Sequence, residues 1–171
     1  MPITYVALLN DTRNTLLIKV GAGLDHGEWG VEPPDRIAPG GRIYQWESHA
    51  NGFLTGTEGW VRYYPVAASD NIVLPSPVPD EETIYIHWDN PYVGSNSYNT
   101  TAPNPYQLTQ TGNQKGDQAA VEYSLGGVNG PNTCLPGFVW RNAYPGDAVC
   151  VTPQSRDQAA EDNSQAQSRV V

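Results

Sequence analysis

The strongest constraint on this chain is a side-chain period of two that keeps returning between turn signals. Ile3–Asn10, Thr15–Gly21, Arg42–Ala50, Trp60–Val66, Thr83–Asp89, Tyr106–Gln110 and Ala119–Leu125 all alternate apolar and polar positions. Successive side chains of a strand point to opposite faces, so this period marks strands with one face buried. WVRYY (60–64) and IYIHW (84–88) add the aromatic and β-branched residues that fit a pleated surface. Turn clusters separate the segments: Asn10–Asn14, Pro33-Pro34-Asp35, Pro39-Gly40-Gly41, Pro75–Asp80, Gly94–Asn104 and Gly112–Gly116. No helical period precedes residue 150. The expected fold is therefore all-β, an antiparallel β-sandwich.

The pattern breaks at Gly126. GGVNGPN reads as a linker, and CLPGFVWRNAYPGDAVC follows, with Cys134 and Cys150 as the two cysteines of the chain. They can pair with each other, or stand as two free thiols in a reducing compartment. Bridged, they would close a short loop worth about 3 kcal/mol. Thr152-Pro153 supplies an N-cap followed by proline at the first helical position. Ser155–Arg169 then reads as a weak helix with few apolar anchors. The expected division is a sandwich over 1–125 and an extension over 126–171.

Net charge is −9, and residues 1–125 carry 6 basic and 14 acidic groups. With no basic run, binding to a nucleic-acid backbone or to anionic lipid lacks its main driving term. A membrane partner would have to be met through aromatic contacts and neutral head groups. MPITYVALLN has no basic leader region, and no window reaches the length of a spanning helix. The expectation is a chain made without a signal peptide, cytoplasmic or in inclusions, and released by an unconventional route or by lysis.

Catalytic constellations are scarce. His26, His49 and His87 show no zinc spacing, and neither cysteine has CxxC spacing. His87 and Asp89 share a strand face and could hold a metal, although a strand-end histidine beside a turn aspartate is the blander reading. No nucleophile elbow, P-loop or dinucleotide fingerprint occurs. HANGFLTGTEG (49–59) resembles a phosphate cradle only in glycine content, since a tryptophan and a strand follow where a lysine and a helix are required. These features favour a protein without enzymatic activity, cofactor or metal. Within that stretch Glu58 has three readings: catalytic acid, ligand contact or solvated turn residue. Gly52, Gly56 and Gly59 are expected to serve positive-φ positions.

Five Trp, ten Tyr and two Phe fall largely at strand ends and turns. Trp46 and Trp60, inside strands, suit a core. Tyr92 and Tyr98 lie in the polar segment WDNPYVGSNSYNTT, where amphipathic rings suit sugar stacking or a membrane interface.

Four stretches, GEW (27–29), ESHANGFLTGTEGWVRYY (47–64), IYIHWDNPYVGSNSY (84–98) and GDQAAVEYSL (116–125), resemble the aegerolysins in order and spacing across roughly residues 3–125. These are small acidic β-sandwich proteins of fungi and bacteria. The likeness extends to the small component of bacterial binary insecticidal crystal toxins. It implies lipid recognition with no enzymatic step, on sphingolipid or another neutral head group. It also implies a larger pore-forming partner protein, and with it hemolytic or insecticidal action. By position it assigns lipid contact to Trp29, Glu58, Trp88, Asp89, Pro91 and Tyr92. A carboxylate would bond a choline-type cation or a hydroxyl, and rings would face the ammonium.

Two parts depart from that pattern. NIVLPSPVPDEE (71–82) is a proline-rich insertion, and the tail resembles a short cysteine-containing tail of secreted actinobacterial proteins. The alternative reading is a lectin-like module in which Trp88 and Tyr92 stack on sugar. An enzyme with a site dispersed over loops is a third.

Overall fold

The computed structural model describes residues 1–68, 71–126, 134, 138–144, 147 and 149–169. Two five-stranded sheets face each other. The first runs β3 (Glu28–Val31), β5 (Arg42–His49), β1 (Ile3–Asn10), β10 (Gln118–Gly126), β9 (Gln107–Gln114). The second runs β4 (Arg36–Ile37), β2 (Thr15–His26), β6 (Thr57–Ala67), β7 (Ile84–Asn90), β8 (Ser97–Thr101). Pairing is antiparallel except between β1 and β10, which run parallel from Ile3 opposite Gln118 to Asn10 opposite Leu125. The sandwich is thus mixed by one pair, a difference from the expected antiparallel sheets. Alternation tells which face a residue takes but carries no strand direction.

The core forms where the inward faces meet. Val6 and Leu8 of β1, Trp46 of β5, and Val121, Tyr123 and Leu125 of β10 pack toward Leu17, Ile37, Val61, Tyr63, Ile84, Ile86 and Trp88. Trp46 sits at its centre, its ring 6.4 Å from both Tyr63 and Trp88. Asparagines close the two ends of this layer. Asn10 Nδ2 donates to the carbonyls of Thr15 and Ile37, and Asn90 Nδ2 donates to those of Ile3 and Asp117. Each one reaches across to satisfy carbonyls at strand ends of the opposite sheet.

All seven expected strands are present. β2 runs five residues past Gly21, and β9 continues into the expected turn at Gly112–Gly116. β8, with the sequence SYNTT, occupies the middle of the expected turn cluster Gly94–Asn104. Its composition favours turns, but β7 presents an open edge and its partners run from Asp89–Ser97 to Tyr85–Thr101. Neighbouring backbone overrides weak local preference here.

Beyond Gly126 the expected linker lies outside the described residues. In the tail, β11 (Val139–Trp140) pairs with β12 (Cys150–Val151), and Cys134 is bonded to Cys150. Asp147 is fully buried and accepts from Arg141 Nε at 2.8 Å, Arg141 Nη2 at 3.0 Å and the Ala143 N–H at 2.9 Å. Those hydrogen bonds, Arg141's first, pull its carboxyl down to about 2 against the opposing effect of burial. Thr152 caps α1 (Pro153–Ser164), its hydroxyl oxygen accepting from the Ser155 N–H at 3.3 Å. The helix buries none of its residues, as its scarcity of apolar anchors foretold. Asn163 Nδ2 donates to the Ala143 carbonyl and ties the helix back to the tail. Arg13, between β1 and β2, lies 4.7 Å over the Trp140 ring and donates to Asn142 at 2.8 Å, which docks the tail on the sandwich.

Candidate functional site

Three strands of the second sheet bring polar side chains to one end of its outer face. Along β6 the inward Thr57, Gly59 and Val61 alternate with outward Glu58, Trp60 and Arg62. Along β7 the outward residues are Tyr85, His87 and Asp89. The register sets Glu58 opposite Asp89 on one side and opposite His26 of β2 on the other. Glu58 is therefore flanked: His26 Nδ1 lies 3.1 Å from its Oε2, and His87 Nε2 lies 3.1 Å from its Oε1.

A bulge completes the cluster. The pairing of β2 with β6 skips Asp25, since Leu24 faces Gly59 and His26 faces Glu58. An extra residue in one strand re-aims its side chain, so consecutive residues can serve one face. The Asp25 carboxylate and donor atoms of Glu58 and His87 lie within 4.8 Å of one another. Three carboxylates thus share this end. Burial raises the Asp89 pKa, and the charge of Glu58 raises it further, while His87 and His26 act in the opposite sense.

Two turns wall His26, Glu58 and Asp89 into an open pocket of about 470 Å³, lined also by Pro91, Tyr92 and Val93 and by residues 54–57. The rim is apolar and wet. Phe53 is 91% exposed and Val93 83%, with Leu54 and Tyr92 also exposed. Glycines work differently from expectation here. Gly52, Gly56 and Gly59 are not among the positive-φ residues, and Leu54 takes the left-handed conformation at φ 60°. Gly56 is needed for close approach instead, because a Cβ there would lie 2.6 Å from the Asn90 carbonyl oxygen and 2.7 Å from Pro91 Cα. The two turns can meet only at a residue without a side chain.

Glu58, Asp89, Pro91 and Tyr92 are brought together in this pocket. Trp29 and Trp88 are not. Trp88 has 0% exposure, and its Nε1 donates to Ser48 Oγ at 2.8 Å inside the core. It faces inward because it is one position out of phase with His87 and Asp89, so its ring offers no surface to a lipid or sugar. Trp29 is half-buried on β3 and packs edge-on against Trp88, with centroids 5.9 Å apart. Sequence reasoning passed over Asp25, Leu54 and Val93, and weighed His26 only for zinc spacing. The polar pair Asp-His at the end of the glycine-containing strand VGAGLDH was the available signal. A second depression, of about 530 Å³, lies farther along the same face between Trp60, Arg62, Val78, Asp80 and Tyr85, so part of the proline-rich insertion forms its wall. Trp60, expected in the core, is half-buried on this outer face over Gly21 and Gly23.

No family model matches the chain. It is similar to the lipid binding protein Nakanori, with 14% identity, a TM-score of 0.55, and coverage of 74% of this chain and 71% of that one. It is also similar to the RahU protein solved in complex with a Tris molecule, at 16% identity and TM-score 0.53, covering 73% of this chain and 94% of RahU. These likenesses establish a shared fold. In sequence, an uncharacterized protein of Dictyostelium discoideum is 24% identical over 106 residues, or 62% of this chain. The chain spans 8% of the length of that curated relative.

Proposed function

We propose that this chain is a non-enzymatic membrane-lipid-binding protein that takes a cationic or hydroxyl-bearing head group into the Glu58 pocket. One observation carries the reading: an acidic pocket is ringed by exposed apolar side chains on two adjacent turns. Phe53, Leu54, Tyr92 and Val93 supply the surface that a bilayer interface takes up, and the carboxylates below suit a choline-type cation. An uncharged bilayer surface also fits a chain of charge −9. Trp29 and Trp88 act in this reading by holding β3 and β7, with direct contact left to Glu58, Asp89, Pro91 and Tyr92. The fold shared with a lipid binding protein supports the same class. The finer reading is one half of a binary pore-forming or insecticidal toxin, 1–125 binding lipid, 126–171 forming the extension, and a larger partner making the pore.

Pelleting with sphingomyelin–cholesterol vesicles and with phosphatidylglycerol vesicles tests this reading. Binding to the first set alone is expected. Glu58→Gln should weaken it about tenfold or more, the scale of a hydrogen bond to a charged group. Equal pelleting of wild type and Glu58→Gln would remove the pocket from the mechanism. Dye release by this chain alone would remove the two-component part.

The depression at Trp60 favours a second reading, lectin-like binding, with the half-buried indole and the polar Arg62 and Asp80 beside it. A glycan array with binding lost in Trp60→Ala and retained in Glu58→Gln is its signature.

A further inference from the structure

We infer that the Asp25–Glu58–His87 cluster is a site for a first-row divalent transition metal ion, of the zinc class. Three adjacent strands each contribute one donor, and the donor atoms already lie within 4.8 Å of one another. Across a tetrahedral zinc with bonds of about 2.0 Å, donors stand roughly 3.3 Å apart, so closure needs only side-chain rotation. The strand geometry that makes this possible is specific. Without the bulge at Asp25, the alternation of β2 would place Asp25 and His26 on opposite faces.

Charge points the same way. Glu58 has Asp25 close by and Asp89 opposite it, and among the described residues no lysine or arginine lines the pocket around Glu58. The two imidazoles of His26 and His87 are the side-chain partners that Glu58 has in the structure. Like charges on directly opposed strand positions repel, as Glu58 and Asp89 do here. A dication would relieve that repulsion.

The donor set selects the ion. Two carboxylates with one imidazole nitrogen suit zinc and its neighbours, whereas calcium and magnesium favour all-oxygen shells. His26, on the other oxygen of Glu58, can hold that carboxylate in place. His87 Nδ1 is buried without a hydrogen-bond partner among the described residues.

The test is isothermal titration calorimetry of the full, tag-free chain with zinc chloride at pH 7.5, with no lipid present. One saturable site is expected. Asp25→Asn and His87→Gln should each weaken it tenfold or more, while His49→Gln, whose partner is Glu47, should leave it unchanged. Circular dichroism confirms that each variant is folded. Asp25 is an exposed strand residue, so its variant keeps the test open if His87→Gln misfolds. Absence of saturable zinc binding, or affinity unaltered in Asp25→Asn, overturns the site. Because no membrane enters the measurement, its outcome stands apart from that of the vesicle experiment.

Discussion

In the sandwich, Trp46, Tyr63 and Trp88 meet across two sheets with a continuous apolar layer on every side. In the tail, order comes from a disulfide, an ion pair from half-buried Arg141 to buried Asp147, and a capped helix that buries nothing. The first region is held by non-directional burial spread over many residues, the second by a few directional links. Loss of one link should release the tail without being felt across the sheets, whereas a hole in the core should weaken the whole sandwich.

Trp88→Ala is expected to give the largest effect. Removing a fully buried indole leaves a cavity and takes from the Ser48 hydroxyl one of its two donors, Thr57 being the other, costing about 3–5 kcal/mol in chemical denaturation. Vesicle binding should fall in proportion to unfolding and return when the protein is held below its new melting temperature. Binding lost in a fully folded Trp88→Ala would show that the indole contacts the ligand after all.

The paired change Cys134→Ser, Cys150→Ser ranks second. By chain entropy the bridge is worth about 3 kcal/mol, but to the tail alone. Limited proteolysis should cut within 134–169 while the melting of the sandwich stays put. A fall in melting temperature comparable to that of Trp88→Ala would mean that the two regions fold as one.

The smallest effect follows from Asp147. Its carboxyl sits at about 2 in the folded tail, below the value near 3.9 of an unfolded aspartate. Its contribution is therefore complete above about pH 4 and is lost as pH falls toward 2. Amide NMR signals of 139–144 should collapse over that window while those of β6 and β7 persist. Asp147→Asn should show the collapsed tail already at pH 7. Sandwich signals moving in step with the tail would erase the distinction.

The two regions also differed in how far the sequence revealed them. The sandwich was readable because burial on one face imposes a period of two, and β1, β6 and β7 carry it plainly. The short edges β3, β4 and β8 were hidden, since their pairing comes from a neighbour and not from their own residues. The site was half readable. Glu58, Asp89, Pro91 and Tyr92 followed from motif position, but Trp88 sits in the core because strand parity decides direction. Asp25 and His26 were concealed by a bulge, which breaks the parity that sequence reasoning relies on. In the tail the cap at Thr152 was legible, while the Arg141–Asp147 pair depended on a fold that no local signal specifies.

Thr57 donates to Ser48 at 2.6 Å, and the space a Cβ on Gly59 would need is taken by Leu24 and Trp88. Glu58 thus rides between two residues clamped into the interior, and its backbone has almost no freedom left to lose. Whatever cation meets this carboxylate finds the entropy of placing it already spent during folding, so binding strength reports the contact itself and little reordering of the host.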